Sequence, residues 1–94
     1  MQQQPFIPPE QSLIEYPLRF PIKVMGLNND AFVEAMVALA RSFEPAFDAA
    51  SLEHRPSRAG NYLGLTISIH VTSREQLDDV YRALTAHPLV KYVL

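Results

Sequence analysis

Between Tyr62 and Thr72 apolar residues alternate with small or polar ones without a break. Leu63, Leu65, Ile67, Ile69 and Val71 fall on one side of an extended chain. Gly64, Thr66, Ser68, His70 and Thr72 fall on the other. Successive side chains of a strand point to opposite faces. The period therefore commits this segment to a sheet with one packed face and one open face.

The rest of the chain arranges itself around that strand. An earlier strand is expected through Ile22-Lys23-Val24-Met25, with Phe20 just upstream, Pro21 at its start or on an unpaired side, and Gly26 at its end. Asn28-Asn29-Asp30 offers N-cap chemistry for a helix from about Asp30 to Phe43, which Pro45 stops. Val33, Met36, Val37, Ala40 and Phe43 form its apolar stripe, with Glu34, Ala38 and Arg41 opposite. After a connection, Leu52 to Arg55 reads as a short strand, and Ser57 to Asn61 holds hairpin-turn residues. Ser73-Arg74-Glu75-Gln76 is a capping-box signature for a second helix ending near Ala86, with Leu77, Val80, Tyr81 and Leu84 as its stripe. Pro88 bars continuation, and Leu89 to Leu94 reads as a last strand.

The resulting order is strand, helix, strand, strand, helix, strand. Helical crossovers between parallel strands are right-handed. Two such units sharing a hairpin give an α+β, ferredoxin-like βαββαβ sandwich. Its four-stranded antiparallel sheet carries both helices on one face. Residues 13–94 make this single domain, and residues 1–12, with Gln2, Gln3, Gln4, Pro5, Pro8 and Pro9, read as a flexible or polyproline-like tail.

Composition narrows the function classes. A chain of 94 residues builds one domain with a thin core, which favours a shallow site over a deep one. The absence of cysteine excludes disulfides, thiolate zinc sites and thiol nucleophiles. A formal net charge of −2 does not favour nucleic acid. No apolar run approaches the roughly 20 residues of a membrane span, and Met1 to Pro5 lacks the look of a signal peptide. A cytoplasmic protein is the expectation.

Four segments at their mutual spacing carry a resemblance. They are Ile22-Lys23-Val24-Met25-Gly26, Pro56-Ser57 through Gly60-Asn61-Tyr62, Leu65-Thr66-Ile67-Ser68-Ile69, and Val90 to Leu94. Together they resemble the YbeD-like family of small bacterial proteins. The resemblance implies a ferredoxin-like fold similar to ACT domains, the amino-acid-binding regulatory modules of metabolic enzymes. It supplies no catalytic residues.

Two loops hold the candidate binding residues. Gly26, Asn28 and Asp30 join the first strand to the first helix. Backbone N–H groups there suit a carboxylate, and a turn glycine with an ordinary cap explains the same residues. Arg58, Gly60, Asn61 and Tyr62 form the hairpin tip, with Lys23 and Arg55 as neighbours able to join Arg58 and Asn61 on a phosphate or an acidic partner. Turn chemistry and solvated charge are the competing explanation. His54, His70 and His87 do not form a recognisable metal set. No cofactor motif and no nucleophile elbow is present. The expected function is a regulatory or adaptor module, not an enzyme, that binds a small metabolite or protein and forms a homodimer. A small hydrolase with an anion site at the hairpin, or an RNA-binding domain, is the alternative.

Overall fold

A computed structural model describes residues 15–94. The tail read at residues 1–12 lies outside the described residues. The elements are β1 (Leu18–Leu27), α1 (Asp30–Phe43), a 3-10 turn (Ala49–Ser51), β2 (Glu53–Pro56), β3 (Tyr62–Val71), α2 (Arg74–Ala86) and β4 (Val90–Val93). They form a four-stranded antiparallel sheet in the order β2-β3-β1-β4. This is the expected βαββαβ arrangement.

β3 is the spine. Its alternating set Leu63, Leu65, Ile67, Ile69 and Val71 is buried throughout, together with Ile22 and Val24 of β1. Those residues share one core with Phe32, Met36 and Ala40 of α1 and Leu77, Val80 and Leu84 of α2. Both helices thus cover the same sheet face. Thr66 and Ser68 remain half-exposed and His70 exposed on the opposite face.

β1 is longer than its apolar alternation implies. Pro21 sits inside it, opposite Ser68. β4 pairs only with Val24 to Gly26 of β1, so at Pro21 one side of the strand has no partner strand among the described residues. A residue without an N–H is tolerated there. Gly26 does not end the strand. A Cβ at Gly26 would lie 2.6 Å from the Phe32 ring and 2.7 Å from the Leu89 carbonyl oxygen. The missing side chain is what lets Phe32 pack down, and it turns the buried stripe of α1 towards Phe32, leaving Val33, Val37 and Phe43 half-buried.

The connection after α1 also contributes to the core, through Phe47 and Leu52. Glu44, at the end of α1, covers a bare edge. β2 reaches only to Thr66 of β3, and beyond it the His70 N–H donates to Glu44 Oε1 at 2.9 Å. Arg19 donates to the Ser68 carbonyl at 2.9 Å and pairs with Glu44 at 3.4 Å. At the start of α2, Ser73 Oγ accepts from the Gln76 N–H at 3.1 Å. The Gln76 side chain takes the Thr72 N–H at 2.7 Å, one residue before the position a capping box prescribes.

Candidate functional site

The fold brings the two candidate loops together and ties them to each other. The Asn28 N–H donates to the Asn61 carbonyl at 3.0 Å, and Asn28 Nδ2 donates to the Gly60 carbonyl at 3.0 Å. Inside the hairpin, Gly60 N–H donates to Ser57 O and Ser57 N–H to Tyr62 O, each at 2.9 Å. The Tyr62 N–H donates to Ser57 Oγ at 3.0 Å. Gly60 turns the chain with a φ of 82°, a region L side chains rarely adopt. The Asn29 side chain caps α1 by accepting from Phe32 N–H at 2.8 Å. Asn28, Gly60 and Asn61 are therefore neighbours whose polar groups hold the loops in place, with Gly26 just upstream in β1. Asp30 is exposed in the first turn of α1 and borders a shallow depression with Glu34 and His54. Two carboxylates there disfavour an anion.

The other candidates, Lys23 and Tyr62, project from the open sheet face. The register sets rows across it. One row runs Glu53, Thr66, Lys23, and the next runs Arg55, Gly64, Met25, Tyr92. The first row ends at Leu94, whose N–H donates to the Lys23 carbonyl at 2.8 Å. Between the rows lies a trough of about 310 Å³, lined among others by Lys23, Met25, Arg55, Gly64, Thr66 and Leu94. Glu53 is its one carboxylate side chain. Met25 and Ser57 also border an adjoining hollow of about 440 Å³ with Tyr62, Lys91 and Tyr92. The bulge where β4 meets Met25 and Gly26 turns the consecutive residues Lys91 and Tyr92 into that same hollow.

Charge is segregated around this surface. The chain has eight Lys and Arg residues. Arg19, Arg74 and Arg82 pair with Glu44, Asp78 and Asp79, and Arg41 donates to the Phe47 carbonyl. Lys23, Arg55 and Lys91 line the two hollows, and Arg58 is exposed at the hairpin tip. Among the described residues these last four make no ion pair or side-chain hydrogen bond. The same region carries exposed apolar groups, with Tyr62 42%, Tyr92 51% and Leu94 68% accessible.

Catalytic and metal chemistry find no constellation among the described residues. No group of three His, Cys, Asp or Glu is placed to hold a metal. His54 lies opposite Leu65 on the helix-covered side, whereas His70 lies on the open side beside Arg19. His87 Nδ1 accepts from the Leu89 N–H at 3.1 Å, an interaction local to the α2 terminus. Burial raises the Tyr81 hydroxyl above its ordinary value, and that group belongs to α2 and the core, not to the open face. No helix of the described residues is long and apolar enough to cross a membrane.

Met25, Gly64 and Lys91 are the parts of this surface that sequence reasoning did not select, and Tyr92 reads from sequence only as a core or interface residue. Only the register of four strands brings them together, and no local pattern announces it. The alternation of β3 does place Thr66, Ser68 and His70 on the open face. The aromatic groups flank them, at the start of β3 and on β4.

Known proteins show what the chain resembles. The model of DUF493, a family described as proteins of unknown function, matches residues 11–94. A UPF0250 protein of Leptothrix cholodnii is 62% identical over 88 residues, which cover 94% of this chain and 97% of that one. The UPF0250 protein RSc0326 of Ralstonia nicotianae is 60% identical over 90 residues, covering 96% and 93%. The solution structure of HP0495 from H. pylori matches with a TM-score of 0.71 at 16% identity, covering 99% and 98% of the two chains. That last likeness is one of fold.

Proposed function

The chain belongs to the DUF493 family, the YbeD-like group of small bacterial proteins, and from that premise we propose that it is a non-catalytic adaptor whose open sheet face binds an acidic, partly apolar segment of a partner protein. The observation that carries this reading is the gathering of Lys23, Arg55 and Lys91, all without ionic partners among the described residues, in the two hollows that hold exposed Tyr62, Tyr92 and Leu94. Cations beside amphipathic aromatic rings suit carboxylates interspersed with apolar side chains. The two adjoining hollows follow the sheet surface, a shape that fits an extended segment better than one compact metabolite. An ACT-like amino-acid site at the β1–α1 junction is less favoured, because Asn28 and Asn29 are engaged in the clasp and the cap. A second copy docked face to face would set cations against cations. We therefore assign homodimerisation to the strand edges, which invite pairing.

The test is fluorescence anisotropy with a labelled extended peptide of alternating Glu and Leu, beside a Lys and Leu counterpart. The expected result is saturable binding of the acidic peptide alone, weakened by salt. Lys23→Glu with Arg55→Glu should weaken it at least about tenfold, the scale of losing close charge pairs. Equal binding of both peptides, or none, would overturn the reading. Steep, salt-dependent binding of an RNA oligonucleotide in its place would move this face to the nucleic-acid class. Turnover of acyl phosphates or phosphoesters that disappears in Arg58→Ala with Asn61→Ala would restore the hydrolase alternative.

A further inference from the structure

Gly64 lies inside β3, two residues after its start at Tyr62, opposite Arg55 on one side and Met25 on the other. A glycine within a strand costs about 0.5–1 kcal/mol relative to alanine, so its presence calls for a reason. The fold does not supply one. Gly64 has no positive φ. A Cβ placed on it would meet the Arg55 carbonyl oxygen at 3.5 Å, Met25 Cε at 3.7 Å and Arg55 Cβ at 4.0 Å, all ordinary contacts. Gly26 is the contrast within the same molecule, since a Cβ there would collide at 2.6 Å. A Cβ is sterically excluded at Gly26 and tolerated at Gly64.

What the bare position does is lower the floor of the trough. Gly64 lies between Arg55 and Met25, one step along β3 from the row that holds Lys23. We infer that Gly64 is a specificity-determining position for the acidic segment. It leaves a notch that receives an aliphatic side chain of the partner while the adjacent carboxylates reach Lys23 and Arg55. Glycine in a strand commonly marks such close approach by another group. The inference rests on the acidic-segment reading of the open face and assigns that face its point of closest contact. Met25, a flexible thioether side chain on the wall of the notch, can adapt to the shape of the inserted group.

Gly64→Ala and Gly64→Val are compared with the unchanged protein for thermal midpoint and for anisotropy with the Glu and Leu peptide. Gly26→Ala is the steric control. Gly64→Ala should keep or raise the midpoint, because a strand glycine is being replaced where a Cβ has room. Binding should fall at least about fivefold for Ala and further for Val, the scale of overfilling a packed contact. Gly26→Ala should lose thermal stability. Undiminished binding by the Gly64 variants, with the unchanged protein still binding, overturns the notch alone. A midpoint drop in Gly64→Ala comparable to that of Gly26→Ala overturns it by showing a structural glycine. No binding by the unchanged protein overturns the acidic-segment reading, and the notch with it.

Discussion

At the scale of single residues, the two strand glycines show how far a sequence can be read. Gly26 reads as a strand terminator because glycine punctuates strands. Its actual role, making room for Phe32, depends on a contact across the β1–α1 turn. Gly26→Ala is expected to lower stability by about 1–3 kcal/mol, the range for forcing atoms into a packed core, and chemical denaturation measures it. Tyr81 predicts a pH response. Burial raises its hydroxyl above the ordinary value of 10.0, so the folded state holds the proton more tightly than the unfolded chain. That stabilisation is complete below pH 10.0 and declines as pH rises through the folded value. Tyr81→Phe should flatten the fall in stability above that pH in alkaline unfolding curves.

At the scale of elements, local signals served well for β3 and for the helix caps, whereas the periodic stripe read for α1 missed Phe32. The alternation of β3, the Asn29 cap of α1 and the Ser73 cap of α2 are each matched by a burial pattern or a hydrogen bond. Ser73→Ala should cost about 0.5–2 kcal/mol, because one helix-terminal N–H loses its acceptor. Segments without a period hid their roles. Phe47 and Leu52 lie in and beside a connection that reads as plain loop, yet both are buried. Phe47→Ala should cost about 3–5 kcal/mol, a large share of the stability of a domain this size, read as a marked drop in thermal midpoint. The clasp between Asn28 and the hairpin was hidden for a related reason. Its two partners are adjacent in space and remote in sequence, and each looks like ordinary turn chemistry when read alone.

For the whole molecule, net charge concealed the distribution that matters. A formal charge of −2 argues against anionic partners only when charge is spread evenly. Here Arg19, Arg41, Arg74 and Arg82 have partners, and Lys23, Arg55 and Lys91 line the two hollows of one sheet face. Element order and sheet topology were readable from hydrophobic period. The candidate site was readable only where residues follow one another in the chain, at the two loops, because cross-strand neighbours require register. Lys23 is thus read with Arg55 as a neighbour of the hairpin tip, but without Met25, Gly64 and Lys91 beside it.

Backbone amide shifts, followed during titration with the Glu and Leu peptide, test the proposed recognition surface most directly. The account predicts saturable changes confined to Lys23, Met25, Arg55, Gly64, Tyr62, Lys91 and Tyr92. The outward sides of α1 and α2 should stay unmoved. Saturable changes centred on the helices, or on the depression around Asp30 and Glu34 with the open face silent, would contradict it.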